Sequence, residues 1–325
     1  MESKQKTKNK VVLVSGCAGF IGSHVAEELL KRGDQVIGID ELNSYYNIEQ
    51  KKANLELLRK YDNFEFFMFD LADYENLKRV FKFSEITHVA HLAARAGVRP
   101  SIDNPFIYQH SNIKATLNLL DLAKDFGIEN FALTSSSSVY GNRDTYPFNE
   151  TDNVDHPISP YAATKKATEL LAHTYHHIHK LNVNIIRPFT IYGPRGRPDM
   201  APFIFADKIS KGETIKRFGD GSSQRDYTFI DDFVEGFLAA LDIPLGYEIF
   251  NLGNSTPVSL NEFISTIEEV VGKEAVIDQV EMPAGDVKLT YANISKAQKM
   301  LGYNPKTKLK EGIEKFFEWH QQKEF

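Results

Sequence analysis

The 325-residue chain contains a single cysteine, Cys17. No disulfide can close within it, so the chain suits a reducing compartment and a cytoplasmic location is expected. Long apolar runs are missing too. The longest are strand-sized pieces such as Val11-Val12-Leu13-Val14, far below the ~20 residues of a membrane-spanning helix, which predicts no membrane segment. Positive charge is not in excess: the formal net charge of −6 argues against nucleic acid as the main ligand. The one basic stretch, residues 1–10, has no apolar segment behind it and reads as a disordered, solvated tail. Internal repeats and low-complexity segments are also absent.

With 42% hydrophobic and 25% charged residues, the chain can bury a large core. Over the first 190 residues or so, short apolar runs alternate with helix-length amphipathic stretches, the signature of parallel βαβ units. Strands are predicted at 11–15, 35–40, 64–69, 87–92, 131–135 and 184–188, with a helix over 21–32 that ends at Gly33. Asn182 and Asn184 read as polar groups at a strand edge. Beyond residue 190 the pattern loosens into glycine- and proline-containing loops, short helices and short strands. The expected fold class is α/β: a doubly wound parallel (Rossmann) sheet over 11–190, then a smaller α/β substrate-binding lobe over 191–325, with some chain crossing back. A cleft is expected at the carboxyl ends of the strands.

Gly16-Cys17-Ala18-Gly19-Phe20-Ile21-Gly22 joins the first strand to the first helix, where backbone amides can receive a pyrophosphate. Gly16 permits the turn, Gly19 lets phosphates approach, and Gly22 lets the helix pack on the strand. Asp40, at the end of the second strand, can accept from both ribose hydroxyls and would repel a 2′-phosphate, which favours NAD over NADP. Asp70, at the end of the third strand, either bonds an adenine amino group or caps the next helix. Leu92-Ala93-Ala94 either lets the backbone pass close to the cofactor or is a packed strand end. Asn43, Leu71 and Pro188 complete the expected cofactor contacts.

Farther on, Thr134-Ser135-Ser136-Ser137-Ser138-Val139-Tyr140-Gly141 precedes Tyr161-Ala162-Ala163-Thr164-Lys165. A lysine four residues after a tyrosine shares its helix face, so the ammonium can lower the phenol's pKa and make it a general base. A hydroxyl from Ser136 can share the hydrogen bond to the reacting oxygen. Such a pair alone is as readily a surface contact. Behind a nucleotide loop and a serine-rich strand end, it predicts oxidation of an alcohol by NAD.

These motifs together resemble an extended short-chain dehydrogenase/reductase of the NAD-dependent nucleotide-sugar epimerase and dehydratase family, from about Lys10 to the C-terminus. The second half carries Pro188-Phe189-Thr190-Ile191-Tyr192-Gly193-Pro194, Arg217-Phe218-Gly219-Asp220-Gly221, Arg225-Asp226-Tyr227 and Asp231-Asp232, which resemble the family's UDP-sugar site. The family's 4,6-dehydratases carry Thr-Asp-Glu where this chain has Ser136-Ser137-Ser138, so the acid and base of elimination are missing. UDP-glucuronate decarboxylases carry a glutamate at the third of these positions, also absent. The serine run, Ala94-Arg95-Ala96-Gly97-Val98-Arg99 and Gly196-Arg197-Pro198-Asp199-Met200 resemble the UDP-glucuronate 4-epimerases.

The resemblance implies a catalytic set of Tyr161, Lys165, Ser136, Ser137 and Ser138, a bound NAD and a UDP-sugar substrate. A guanidinium can bind both oxygens of a C5 carboxylate, with Arg197 the first candidate and Arg99 a second that is equally able to touch a phosphate. Arg197 in a loop salt bridge is the plain alternative. Arg217 and Arg225 are the expected UDP partners, and Asp286 either contacts the ribose or is a turn aspartate. The resemblance further implies a homodimer through helices near 111–126 and 161–179. His173, His176, His177 and His179 crowd the second of these, but the pattern of a metalloprotease helix is missing and no metal is expected. The C-terminal aromatics are expected in two helices that form lobe core. Rival readings are a UDP-glucuronate decarboxylase, an epimerase of UDP-glucose or UDP-N-acetylglucosamine, and a non-catalytic NAD-binding scaffold.

Overall fold

The computed structural model describes residues 10–281 and 287–323. The first half builds β1 (Val11–Ser15), β2 (Gln35–Ile39), β3 (Phe64–Phe67), β4 (His88–His91), β5 (Asn130–Thr134) and β6 (Val183–Pro188). All six fall within a residue or two of the positions that the apolar runs predict. The second half adds β7 (Thr190–Tyr192), β8 (Thr214–Phe218), β9 (Gln224–Phe229), β10 (Tyr247–Leu252), β11 (Pro257–Ser259), β12 (Val276–Val280) and β13 (Leu289–Thr290). The main sheet has seven strands rather than six, in the order β10-β6-β5-β4-β1-β2-β3, all parallel. Its seventh strand, β10, comes from the second half and pairs along β6 from Tyr247 opposite Val183 to Leu252 opposite Pro188.

That addition corrects the reading of Asn184. With β10 on one side and β5 on the other, β6 is interior, and Asn184 is fully buried. Its amide donates to the carbonyl oxygens of Ala240 and Ile243, both at 2.7 Å. Asn182, just outside the strand, donates to the Glu129 carbonyl at 2.9 Å. Lys10 likewise belongs to the folded body rather than to a tail. Its amide donates to Asp34 Oδ1 at 3.0 Å and its ammonium pairs with Asp242, which also holds Arg32 at 2.6 Å. Residues 1–9 of the expected tail lie outside the described residues.

Why the early strands read as unbroken apolar runs is plain in β1. Val12 and Val14 pack into one core with Val36 and Ala90, while Leu13 packs into a second core with Ile37, Ile39 and Val89. A parallel sheet covered by helices on both faces needs apolar residues at successive positions. Truncating Leu13 to Ala would cost about 2–5 kcal/mol in such a site.

In the second half, β9 is flanked by β11, β13 and β7, and β8 pairs β12 in a separate ribbon. The helices Ser295–Leu301 and Leu309–Gln322 lie close to the two expected, and Tyr303 and Phe316 are buried. In the main sheet, β1 sits between β2 and β4, so chain direction across the sheet reverses there. A crevice opens beyond the carboxyl ends at such a point.

Candidate active site

The turn after β1 is set by sterics. Gly16 has φ +71°, and a Cβ on it would lie 2.8 Å from the Ala93 Cα. A Cβ on Gly22 would lie 2.0 Å from the Gly16 carbonyl oxygen, so the helix Phe20–Lys31 can start this close to β1 only with glycine there. Gly19 is the N-cap of that helix and no side chain caps it, which leaves the first-turn amides open to an anion.

Three acidic and polar side chains complete this end. Asp40 is buried and accepts from the amides of Ala18 at 3.2 Å and Leu42 at 2.8 Å. Burial raises its pKa, opposed chiefly by the Lys51 ammonium. Asp70 accepts from the Ala72 amide at 2.8 Å and pairs with His110 at 2.7 Å. It is not the cap of the next helix: that place is taken by Asp73, which accepts from the Asn76 amide at 3.1 Å. The amides of Leu92 and Ala93 each donate to Ser15 Oγ at 3.1 Å, which pins the backbone beside the glycine turn.

At the end of β5, Ser136 caps a short 3₁₀ turn, Ser137–Tyr140, by accepting from the Ser138 amide at 3.1 Å, and it donates to Ser138 Oγ at 3.1 Å. Across from it the helix Pro160–His179 begins, with Ser159 accepting from the Ala162 amide at 3.1 Å and proline in the first turn, where no donor is needed. Tyr161 and Lys165 therefore sit in the first two turns. Tyr161 and Ser136 line the same cavity wall. Lys165 is buried and its ammonium donates to the Thr134 carbonyl at 2.6 Å.

Burial governs the electrostatics of both groups. Burial pushes the Tyr161 phenol up, while the Ser136 hydroxyl and the Arg197 guanidinium oppose that rise. Helical spacing puts Tyr161 and Lys165 on one face, but the ammonium is committed to the strand end. Burial brings Lys165 itself down to about 8, with the Glu169 carboxylate opposing.

A single cavity of about 430 Å³ gathers most of the candidates. Gly16, Gly19, Phe20, Ile21, Gly22, Asp40, Asn43, Asp70, Leu71, Leu92, Ala93, Ala94 and Pro188 line it, together with Ser136, Ser137, Ser138, Tyr161, Lys165 and Arg197. Arg197 is also in a loop salt bridge, bound to Asp199 at 3.0 and 2.5 Å, so both readings of it describe the structure. Arg99 lies outside the wall, its guanidinium 5.0 Å from the Phe218 ring. Arg217 bonds Asn261 at 3.3 Å and Gln279 at 3.0 Å, and Arg225 donates to the Gln224 carbonyl at 2.9 Å; neither lines the cavity. Asp286 lies outside the described residues.

The sequence reading missed Tyr45, Tyr46 and Lys51, which line the cavity, and quoted Thr190 and Met200, which also line it, only within motifs. Arg95, quoted there without a role, lines it too, stacked 4.2 Å from the Tyr45 ring with Arg197 at 5.3 Å. Their one signal was position: Tyr45 and Tyr46 follow Asp40 in the loop beyond a strand end. Tyr46 has a buried hydroxyl with no partner among the described residues, and Lys51 lies 4.9 Å from its ring. On the helix Pro160–His179, His173 and His177 stack with ring centroids 6.4 Å apart. Among the described residues, no group of three or more His, Cys, Asp or Glu side chains could hold a metal ion.

A family model described as GDP-mannose 4,6 dehydratase matches residues 13–316. The chain belongs to that family. Among the family's proteins, a UDP-glucuronate 4-epimerase of Thermodesulfobacterium geofontis is 47% identical over 311 residues, 95% of this chain and 96% of the relative. The crystal structure of UDP-glucuronic acid 4-epimerase from Bacillus cereus, in complex with UDP-glucuronic acid and NAD, superposes with a TM-score of 0.90 at 35% identity, covering 96% of this chain and 99% of that one. A UDP-glucose 4-epimerase of Thermotoga maritima, solved with UDP-glucose, gives a TM-score of 0.87 at 32% identity over 96% and 99% of the two chains.

Proposed function

We propose that this member of the family is an NAD-dependent epimerase that inverts C4 of a UDP-hexuronic acid, interconverting UDP-glucuronate and UDP-galacturonate. The carrying observation is one cavity wall on which Tyr161, Lys165 and Arg197 meet residues 136–138, all three of them serine rather than carboxylate. Elimination of water, the reaction of the dehydratases that give the family its description, has no acid and base there. The likeness to the Bacillus cereus enzyme, solved with UDP-glucuronic acid and NAD, supports the same reading.

The residues present fit NAD. The uncapped helix start at Gly19 and the unpartnered Tyr46 hydroxyl offer donors to a pyrophosphate, and the clearances at Gly16 and Gly22 form a cradle that any Cβ would fill. Asp40 stands where a ribose would need an acceptor. When bound, NAD supplies the acceptor and later the donor of the C4 hydride, chemistry that no side chain here can perform. Tyr161 takes the proton of the 4-hydroxyl and returns one after the sugar has turned its other face. Ser136 shares the bond to the reacting oxygen, and Lys165 provides a cation beside it.

At the 4-keto stage the sugar is a β-keto acid, and carbon dioxide leaves readily if the C5–carboxylate bond aligns with the carbonyl π system. Ser137, Ser138 and Arg197 are the groups placed to hold the carboxylate near the carbonyl plane. For Arg197 this means exchanging Asp199 for the substrate, one carboxylate for another. Arg217 and Arg225 stand outside the cavity, so contact with UDP through them requires the nucleotide to extend beyond it. The cofactor part of the chain is assigned to 11–190 together with β10, and the sugar-binding part to the rest of 191–325.

Leu117, Leu170 and Ile178 are exposed on the helices Ala115–Asp125 and Pro160–His179, which suits a homodimer through those helices; the solution mass checks it. Among the described residues no helix is long and apolar enough to cross a membrane. The lone, buried Cys17 suits the cytoplasm, which cell fractionation checks.

Incubation with UDP-glucuronate, followed by proton NMR, tests the function. UDP-galacturonate is expected. UDP-xylose as the main product would make the protein a decarboxylase, turnover of UDP-glucose or UDP-N-acetylglucosamine alone would move the sugar specificity, and bound NAD without turnover of any of them would leave a scaffold.

A further inference from the structure

Glu169 and Arg187 are each 1% exposed and joined by two bonds, Arg187 Nε to Glu169 Oε1 at 2.9 Å and Nη2 to Oε2 at 2.8 Å. Neither lines the cavity. Stability alone is a poor reason for such a pair, because desolvating two charges consumes most of their attraction and an apolar pair of similar volume often serves as well.

The partners of this pair lead to the catalytic groups. Glu169 Oε1 accepts from Ser135 Oγ at 2.6 Å, and Ser135 directly precedes Ser136. Lys165, one turn earlier on the same helix, holds the neighbouring Thr134 carbonyl at 2.6 Å. On the other side, Arg187 Nη1 donates to the Tyr140 hydroxyl at 3.0 Å, and Tyr140 closes the 3₁₀ turn that carries Ser137 and Ser138. Tyr140 in turn donates to Asn251 Oδ1 at 2.7 Å. The ion pair thus grips the chain immediately before Ser136 and two residues after Ser138.

We infer that Glu169, seated by Arg187, is a positioning residue of the epimerase site: it brackets Ser136–Ser138 through Ser135 and Tyr140 and supplies the negative charge facing the Lys165 ammonium. This rests on the proposed function, in which Lys165 acts as a cation. Around Lys165 the polar groups are Glu169 on its own helix, the Thr134 carbonyl on β5, Tyr161 one turn back, and His91 on β4, which burial and Lys165 itself hold neutral with a pKa of about 3. Around Glu169 they are Arg187 on β6, Ser135, Lys166 at 4.0 Å, and the Tyr247 hydroxyl of β10, which donates to the Glu169 carbonyl at 3.2 Å.

The sign of the effect follows from those neighbours. Burial lowers the Lys165 pKa and Glu169 opposes it, so removing the carboxylate makes Lys165 release its proton at lower pH. In the Glu169→Gln holoenzyme the alkaline limb of kcat is expected to move down by about one pH unit, with kcat near pH 7 reduced about tenfold and KM little changed. Glu169→Asp, which keeps the charge, should return the limb towards its original position. Ser135→Ala and Tyr140→Phe leave the ion pair intact and should lower kcat without moving the limb.

A uniform loss across pH in Glu169→Gln, with the limb unmoved, overturns the inference. So does unchanged kcat in both Ser135→Ala and Tyr140→Phe, which decides the matter even if Glu169→Gln does not fold. Retention of NAD after gel filtration between pH 7 and 10 reads Lys165 without any sugar turning over. A downward shift of that profile in Glu169→Gln, with wild type inactive on every UDP-sugar, upholds the positioning role and refutes the epimerase reading. Epimerisation by wild type with both profiles unmoved does the reverse.

Discussion

Two segments that contribute to the cavity wall are built on opposite principles. The Gly16–Gly22 turn is made of backbone: its shape is set by clearances of 2.8 and 2.0 Å that no side chain can enter, and its ligand-binding groups are amides. The stretch 193–200 works through side chains, above all Arg197, whose guanidinium is shared between Asp199 and the face of Tyr45. Backbone geometry admits one answer. A flexible cation has several partners within reach and takes the one that the tertiary structure brings close.

The largest effect is expected at Tyr161, which lines the same cavity as both segments. Tyr161→Phe should lower kcat by about 10²–10⁴-fold or more while leaving NAD bound, read by turnover and by absorbance of the purified protein. Retained activity would place the base elsewhere. Next comes the backbone side: Gly22→Ala forces a Cβ onto the Gly16 carbonyl, and NAD binding should be lost together with thermal stability, measured by calorimetry and by cofactor content. A Gly22→Ala protein that still held NAD would show the turn to be less constrained than its contacts suggest.

The side-chain side should respond by degree. Arg197→Ala is expected to raise KM for UDP-glucuronate by about 10- to 100-fold, the loss of a charge-assisted pair, and to raise the share of pentose by-product. Asp199→Asn frees the guanidinium and should lower KM; an increase would mean that Asp199 orients Arg197 rather than competing for it. The smallest effect is assigned to Arg217→Ala, whose guanidinium is bound to Asn261 and Gln279 away from the cavity, with less than about threefold change in KM. A loss above about tenfold would show that the second half closes over the nucleotide.

Legibility followed the same division. Six strands, the first helix and the glycine turn were readable because their signals are local: apolar runs of strand length and glycines at fixed offsets. β10 was not counted in the sheet, since Tyr247–Leu252 lies beyond the last βαβ unit and only the pairing with β6 brings it back. Tyr45, Tyr46 and Lys51 escaped for a related reason, since a loop of mixed polar residues carries no periodicity. The orientation of Lys165 was not legible either, since helical spacing says which residues share a face but not that the ammonium donates to the Thr134 carbonyl.

By itself the sequence determined the parallel α/β architecture, the nucleotide turn and the residue types of an alcohol-oxidising site, because each depends on neighbours within one or two elements. Only the tertiary structure decided which charges reach the cavity, that Arg197 holds Asp199, that Arg217 and Arg225 stand outside, and that Glu169 faces Lys165 while gripping Ser135. Those outcomes depend on distances between elements far apart in the chain, and the strength of a charge interaction is set by burial, which no local pattern encodes.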